Sequence, residues 1–313
     1  MARPLPAFEG FVGQRDLMRS VERILVGSAK RDQPLPHLLL VGPAGYGKSS
    51  MAAAIAKASG SRLLEVPSTA LSTHGIAEVL IQVTRKDIVF LDEAHTLKEK
   101  VFMVLNRALD TGRVPDPDCK NGTEMREVPP FTLVIATNRP GELNKPFRSR
   151  FVEFQLQDYE PREITEIARR VAEAIGITMT AQAARKLAEH TDSPRVVGKW
   201  VRLIATCFPG AAEVNQPIVE VFLREVVGLD EHGLSARHRR YLSALARHGG
   251  RPKAQRSLVV DVGCDYTTLA SEIEPDLVRR GLVEVTDKGR MLTLEGAIVV
   301  STMNPDKQEG GAR

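Results

Sequence analysis

Hydrophobic and polar positions divide the chain into a first part in which strands alternate with helices and a later part that consists mainly of helices. In the first part, five short apolar runs are separated by segments with helical spacing. The runs are residues 38–41, 62–66, 88–91, 131–136 and 151–154. Such alternation predicts an α/β fold with a parallel sheet covered by helices.

The spacing of apolar residues changes at Glu160-Pro161, after which helical patterns follow one another without strands. Ile164, Ala168 and Val171 share one face of the first of these helices. Further helical patterns cover residues 180–189, 195–207 and 218–227. We therefore expect a small all-α domain, which ends at the glycine-containing break 228–233.

The last part of the chain contains three helical patterns and then two strand patterns, residues 282–285 and 291–294, around a turn at 286–290. Three helices followed by a two-stranded ribbon are typical of a winged helix. Residues 304–313 are polar and glycine-rich, which predicts a disordered tail. The predicted domains are residues 1–156, 157–229 and 230–303, followed by the tail 304–313.

Composition excludes several classes of protein. No apolar run approaches the ~20 residues that span a bilayer, and the N-terminus has no secretory signal, so we expect a soluble, cytoplasmic protein. The cysteines Cys119, Cys207 and Cys264 lie far apart, which predicts neither a disulfide framework nor a zinc motif. A net charge of +4 and a pI near 9.0 are compatible with nucleic-acid binding.

The strongest chemical signal is the segment from Gly42 to Ser49, which has the sequence Gly-Pro-Ala-Gly-Tyr-Gly-Lys-Ser. It follows an apolar strand and begins an alanine-rich helix, which is the context of a phosphate-binding Walker A loop. Glycines allow backbone N–H groups to turn towards phosphates, Lys48 reaches the β and γ phosphates, and the Ser49 hydroxyl can ligate Mg²⁺. The chain is therefore predicted to bind a nucleoside triphosphate.

Two carboxylates follow the apolar run 88–91, at the end of a predicted buried strand. Ligands bind at the carboxyl edge of a parallel sheet, so Asp92 is placed to hold Mg²⁺ and Glu93 to orient and deprotonate an attacking water. Two solvated acids at a strand end are common, and it is the phosphate-binding loop upstream that favours a hydrolase.

Four further polar residues are candidates for the site, and two interpretations remain open for the first three. Asn138 ends another buried strand, where it either contacts the γ-phosphate or caps the next turn. Arg148 and Arg150 precede the last strand, and they either reach a neighbour's γ-phosphate or form surface ion pairs. Arg195 is predicted in the first turn of a helix, where a cation needs a nearby anion because the helix dipole is positive at that end.

From Arg3 to about Thr293, the chain resembles the RuvB branch-migration motors of the AAA+ ATPases. The resemblance rests on Phe11-Val12-Gly13-Gln14, Pro36-His37, the Walker A segment, Asp92-Glu93-Ala94-His95, Pro130-Phe131, Asp230-Glu231-His232-Gly233-Leu234, Glu274-Pro275 and Gly289-Arg290. It implies a AAA+ P-loop parallel sheet flanked by helices, then a small all-α lid domain and a C-terminal winged helix. It further implies a homo-hexameric ring that hydrolyses ATP and acts on double-stranded or junction DNA.

The resemblance also implies roles for individual residues. The catalytic set is Glu93, Asp92, Lys48, Asn138 as sensor 1, Arg195 as sensor 2, and Arg150 as the arginine finger with Arg148 as its substitute. The expected ATP contacts are Phe11, Val12, Gly42, Pro43, Ala44, Gly45, Tyr46, Gly47, Lys48, Ser49, Ser50 and Arg195. The expected Mg²⁺ ligands are Ser49 and Asp92.

The segment 112–128 departs from the family, which has a β-hairpin there that docks on its partner RuvA through an apolar tip. Asn121-Gly122 still predicts a hairpin turn. However, Pro115 and Pro117 weaken the first strand, and the tip is polar. This departure argues against a RuvA-like partner.

The Walker A loop and the wing also differ from the family. The family's Pro-Pro-Gly-Leu-Gly-Lys-Thr is Pro-Ala-Gly-Tyr-Gly-Lys-Ser here, which keeps the chemistry. The family's wing sequence Arg-Thr-Pro-Arg-Gly-Arg is Val-Thr-Asp-Lys-Gly-Arg at 285–290, with less positive charge. We expect phosphate contacts with DNA from Arg251, Lys253, Arg256, Lys288 and Arg290. A solvated basic loop is the alternative.

These features favour an ATP-driven ring motor that translocates duplex DNA in branch migration, recombination and repair. Two other functions remain open at this point. One is a nucleotide switch of the replication initiator or loader type, and the other is a remodeller of a protein partner.

Overall fold

The computed structural model describes residue 8 and residues 10–119 and 124–303. The chain divides into two compact units, Met1–Val214 and Asn215–Arg313. This division falls inside the predicted lid segment 157–229, and the domain boundaries at 156 and 229 stay predictions. Within the described ranges, no helix is both long enough and apolar enough to cross a membrane.

A five-stranded parallel sheet forms the centre of the first unit, as the apolar runs predict. Its strands are β1 (Leu38–Val41), β2 (Leu63–Pro67), β3 (Ile88–Asp92), β6 (Thr132–Thr137) and β7 (Val152–Gln155), in the order β2-β3-β6-β1-β7. The inner strands β1 and β6 are buried along their whole length, whereas the edge strands β2 and β7 include exposed positions. Continuous apolar runs are therefore found where neighbours cover a strand on every side.

The register of the sheet brings the sequence-predicted polar residues to one edge. Val41 at the end of β1 pairs with Thr137 at the end of β6, and Leu91 near the end of β3 pairs with Ile135. The residues that follow these strands therefore emerge at the same carboxyl edge, which is where open parallel sheets bind ligands.

Helices and a short hairpin surround this sheet. The helices are α1 (Arg15–Lys30), α2 (Lys48–Ser59), α3 (Thr73–Ile81), α4 (Glu99–Thr111) and α5 (Lys145–Arg148). The hairpin pairs β4 (Arg113–Pro115) with β5 (Met125–Glu127) in antiparallel fashion. The first hairpin strand ends at Pro115, as expected because proline cannot donate to the ladder. The predicted turn Asn121-Gly122 lies outside the described residues.

Three helices without strands complete the first unit, which agrees with the helical pattern after residue 160. They are α6 (Pro161–Ala174), α7 (Ala181–Ala188) and α8 (Pro194–Cys207). Both α6 and α8 begin with proline. Proline fits the first helical turn because an N–H group there would have no acceptor within the helix. At the start of α6, the Glu163 carboxylate accepts a hydrogen bond from the Glu160 N–H at 3.0 Å.

The second unit contains helices and a two-stranded ribbon, and an apolar core joins its elements from residue 234 onwards. Its elements are α9 (Gln216–Val221, which continues as a π-helix through Phe222–Val227), α10 (Ala236–Ala246), α11 (Gln255–Val262), α12 (Tyr266–Thr268), a π-helical turn (Leu269–Ile273), α13 (Glu274–Arg279), β8 (Val283–Thr286), β9 (Gly289–Leu292) and α14 (Leu294–Met303). Leu242, Leu258, Leu277 and Val283 are in the core. The winged-helix prediction is confirmed.

The sequence prediction was wrong at the end of this unit. The second ribbon strand ends at Leu292, not Leu294, and residues from Leu294 form helix α14. Thr293 caps this helix, because its hydroxyl oxygen accepts a hydrogen bond from the Gly296 N–H at 3.0 Å. The predicted tail 304–313 lies outside the described residues.

Candidate functional site

The segment from Gly42 to Ser49 forms a loop between β1 and α2. Gly45 and Gly47 have φ angles of 85° and 93°, in the left-handed region that favours glycine. Lys48 begins α2, and its Nζ atom donates to the carbonyl oxygens of Gly42 at 2.9 Å and Pro43 at 3.0 Å. Burial lowers the pKa of Lys48. The amine is thus held inside the loop, at the positive end of a helix, which is a position that favours an anion such as phosphate.

The expected magnesium ligands lie next to each other. The Ser49 hydroxyl donates to Oδ2 of Asp92 at 3.2 Å, and Oδ1 of Asp92 accepts from the Glu93 N–H at 2.9 Å. A hydroxyl and a carboxylate supply oxygen ligands, which Mg²⁺ prefers. The donor set therefore fits Mg²⁺ together with the phosphate oxygens of a nucleotide.

Glu93 has the geometry of an exposed acid at the edge of the sheet. Its φ angle is 52°, a left-handed conformation that is uncommon outside glycine. Its carboxylate remains 43% exposed and lies 3.5 Å from Nδ1 of His95. The side chain is therefore free to meet a water molecule, whereas the preceding Asp92 is bound to Ser49.

Asn138 follows β6 and emerges beside the start of the loop, since the Gly42 N–H donates to the Thr137 carbonyl at 3.2 Å. The Asn138 residue is exposed. The next turn is capped by Thr137, whose Oγ1 accepts from the Arg139 N–H at 3.0 Å. The capping role considered for Asn138 is thus taken by its neighbour, and Asn138 stays a sensor prediction.

The segment before α1 contributes to the same site. A Cβ atom on Gly47 would lie 3.4 Å from the Phe11 ring, so the predicted Phe11-Val12 element reaches the phosphate-binding loop. Gln14 is buried, and its amide donates to the Gln157 carbonyl and accepts from the Gln157 N–H, at 2.7 and 2.8 Å. The Gly-Gln element is thereby anchored to the chain segment that leads into α6.

Sequence reasoning missed Tyr159. Its hydroxyl donates to the Tyr46 carbonyl at 3.0 Å, and its ring would lie 2.9 Å from a Cβ atom on Gly13. The aromatic residue therefore joins the loop to the segment before α1. The signal available in the sequence was a lone tyrosine just before the helix start at Glu160-Pro161, which does not identify a spatial partner.

The structure brings Arg195 to the loop. A Cβ atom on Gly45 would lie only 2.8 Å from Cβ of Arg195 and 3.0 Å from the Ser193 hydroxyl. The positive charge of Arg195 contributes, after burial, to the lowered pKa of Lys48. The sequence predicted that a cation in the first turn of α8 needs an anion, and the nearby phosphate-binding loop is suited to hold one.

The two candidate fingers are engaged in ion pairs. Arg150 makes a two-pronged contact with Asp110 on α4, at 2.7 and 2.6 Å. Arg148 makes one with Glu153 on β7, at 2.7 and 2.6 Å. Their partners therefore lie on α4 and β7 rather than in the phosphate-binding loop of the same chain. Within one chain, these contacts agree with the alternative interpretation, in which the two arginines form surface ion pairs.

The predicted DNA contacts in the second unit fall into two groups. Arg290 is paired with the buried Glu274 through two hydrogen bonds of 3.0 and 2.9 Å, and Lys253 lies 2.6 Å from Asp261. A Cβ atom on Gly289 would lie 2.6 Å from the Lys253 carbonyl, so the wing packs tightly there. The other three predicted contacts are exposed, namely Arg251, Arg256 and Lys288.

This grouping predicts different effects of substitution. Replacing Arg251, Arg256 and Lys288 by Ala should flatten the dependence of DNA affinity on salt, by about one unit of slope for each lost phosphate contact. Arg290→Ala should instead lower the free energy of unfolding of the second unit by roughly 3 kcal/mol, because it leaves Glu274 buried without its charge partner. Salt titrations of duplex binding and thermal unfolding measure the two effects. If Arg290→Ala flattened the salt dependence of DNA affinity as much as the other substitutions do and left stability unchanged, the structural role assigned to Arg290 would be wrong.

Comparison with known proteins agrees with this architecture. Residues 3–156 match the Holliday junction DNA helicase RuvB P-loop domain, and residues 231–301 match the RuvB C-terminal winged helix domain. The chain is 32% identical, over 298 residues, to the Holliday junction branch migration complex subunit RuvB of Prochlorococcus marinus, covering 92% of this chain and 83% of that protein. It is 34% identical over 295 residues to the same subunit of Mycolicibacterium vanbaalenii, covering 91% and 82%.

Solved structures give the same result. The Thermotoga maritima RuvB Holliday junction branch migration motor superposes with a TM-score of 0.77 at 28% identity, over 93% of this chain and 95% of that one. A mutant of the same protein gives a TM-score of 0.79 at 28% identity, over 96% and 99%. Since both family domains and relatives that match over most of their length agree, the chain belongs to the RuvB family of P-loop ATPases.

Proposed function

We propose that this protein is an ATP-hydrolysing ring motor that translocates duplex DNA and drives Holliday-junction branch migration in the cytoplasm. The observation that carries the proposal is the presence, in one chain, of a RuvB P-loop domain and a RuvB winged helix. The relatives are named as subunits of a Holliday junction branch migration complex. The first unit would supply the energy and the second unit the contact with DNA.

The site geometry supports a separate role for each of these residues in ATP hydrolysis. Lys48 would neutralise the β and γ phosphates, and Ser49 with Asp92 would hold Mg²⁺. Glu93 would position the attacking water and accept its proton, for which its exposed carboxylate is suited. Asn138 and Arg195 would contact the γ-phosphate from the sheet and from α8. Phosphoryl transfer needs such positioning and charge stabilisation more than covalent help.

In a hexameric ring, a neighbouring subunit would provide the arginine finger. We favour Arg150, with Arg148 as its substitute. Both arginines are in ion pairs that are partly exposed, so water screens their charges. The phosphate of a nucleotide in a neighbouring subunit could therefore replace the carboxylate partner of either guanidinium without a large cost in free energy.

The described part of the hairpin supports a partner other than RuvA. Arg126 forms ion pairs with Asp116 at 2.7 Å and with Asp118 at 3.3 Å, so charged groups occupy the outer end of the described strands. This surface would bind only weakly to an apolar groove on a partner, because burying these charges costs desolvation free energy. We infer that a partner would have to offer polar or charged groups here.

A strand-displacement experiment tests the proposed function. Duplex DNA is expected to stimulate ATP hydrolysis, and the protein is expected to release the third strand of a triplex only when ATP is hydrolysed. ATP-dependent loading of another protein without displacement would support the initiator or loader function instead. A folded preparation that hydrolyses ATP but binds neither duplex nor junction DNA would exclude the motor and favour a remodeller of a protein partner.

A further inference from the structure

Tyr46 occupies the middle of the phosphate-binding loop, but its side chain is buried. Only 4% of the residue is exposed, and it lies between Gly45 and Gly47, which both adopt left-handed conformations. Leucine, which the resemblance implies at this position, has no side-chain hydrogen-bond donor. The Tyr46 hydroxyl is therefore a feature of this chain that phosphate binding by the loop backbone does not explain.

The hydroxyl connects the loop to the start of α8. It donates to Oδ2 of Asp192 at 3.3 Å. Asp192 precedes Ser193, the N-cap residue of α8, and Arg195 lies in the first turn of this helix. The close approach of Gly45 to Ser193 and Arg195 is a second contact between the same two segments.

The surroundings keep this hydroxyl protonated and therefore able to donate. Burial raises the pKa of Tyr46, and the carboxylates of Asp192 and Asp158 raise the pKa further. The Tyr46 and Tyr159 rings meet edge to face with centroids 5.6 Å apart, and the Tyr159 hydroxyl binds the Tyr46 carbonyl. The tyrosine is thus held in place from two sides.

We propose that Tyr46 is a positioning residue for the nucleotide site, because its bond to Asp192 holds the first turn of α8, and with it Arg195, against the phosphate-binding loop. This inference rests on the proposed ATPase function, in which Arg195 contacts the γ-phosphate. The hydroxyl thereby affects the discrimination between ATP and ADP through Arg195. The nucleotide contact expected of Tyr46 comes from its backbone N–H group, which a change of side chain leaves in place.

The test compares affinities for ADP and for the slowly hydrolysed analogue ATPγS, each with Mg²⁺. Tyr46→Phe keeps the ring and removes the hydroxyl. It is expected to weaken ATPγS binding about threefold to tenfold, the range of a single hydrogen bond, and to leave ADP binding unchanged. Asp192→Ala should behave in the same way. Tyr266→Phe, which removes an exposed tyrosine hydroxyl from the second unit, is the matched control and should alter neither affinity.

The background variant Arg195→Ala separates positioning from a structural effect. In this background, Tyr46→Phe should cause no further loss of ATPγS affinity, because the hydroxyl acts through Arg195. Equal losses of ADP and ATPγS affinity, a loss that persists without Arg195, or no loss at all would each overturn the proposal. These binding measurements need no turnover, so failure of the unaltered protein to hydrolyse ATP would count against the proposed function alone.

Discussion

Replacing Glu93 by Gln is expected to stall ATP hydrolysis while ATP still binds. The amide keeps the size of the carboxylate but cannot accept the proton of the attacking water, so kcat should fall by roughly 100-fold to 10,000-fold. Binding should persist because Lys48, Ser49 and Asp92 remain in place. Steady-state hydrolysis and equilibrium binding of a fluorescent ATP analogue measure the two properties separately.

A matched control is available for this substitution. Glu99→Gln makes the same chemical change at an exposed acid in the first turn of α4 and should leave hydrolysis unchanged. Normal turnover by Glu93→Gln would show that another group acts as the base. A parallel loss of ATP binding would show that Glu93 holds the nucleotide or the metal instead.

Lys48→Ala is expected to abolish nucleotide binding at micromolar concentrations. The amine now donates to the Gly42 and Pro43 carbonyls, and phosphate oxygens would replace these acceptors. Charge-assisted hydrogen bonds contribute about 1.5–3 kcal/mol each, so loss of two should weaken ATP binding on the order of 100-fold or more. Calorimetric titration with ATP and Mg²⁺ measures this change.

The control for this variant lies on the same helix. Lys57→Ala removes an exposed amine from the last turn of α2 and should leave ATP affinity unchanged. Lys48→Ala removes the donor to the Gly42 and Pro43 carbonyls, so circular dichroism should first show that the variant is folded. Near-normal ATP affinity in a folded Lys48→Ala protein would contradict the assignment of this loop as the phosphate site.

Much of the first unit could be predicted from local patterns. The inner strands β1, β3 and β6 have continuous apolar runs because neighbours cover them, and such runs are visible in one dimension. The Walker A loop was equally visible, since its glycines, its lysine and its serine are consecutive in the chain. The helix α14 was not predicted, because its hydrophobic residues show no clear separation into two faces.

Residues that act through distant partners were harder to assign. Arg290 was predicted as a DNA contact from its charge and its place in the wing, and that stays a prediction, but the sequence did not indicate its pairing with Glu274. Tyr159 was missed, although it contacts both the segment before α1 and the loop. In each case, the partner lies far away in sequence, and no local pattern records the pairing.

The sequence by itself therefore determined the family, the order of strands and helices around the phosphate-binding loop, and the identity of the residues at the ends of the strands. Local composition and periodicity are sufficient for the elements and for the strand ends, because these depend on neighbours within a few positions. The family followed instead from the resemblance of motifs that are distributed along the whole chain. Only the tertiary structure decided which charges are engaged and which are exposed, and that Tyr46 joins the loop to α8. Such contacts form when chain folding brings distant segments within hydrogen-bond distance, and their energies depend on burial, which a sequence does not display.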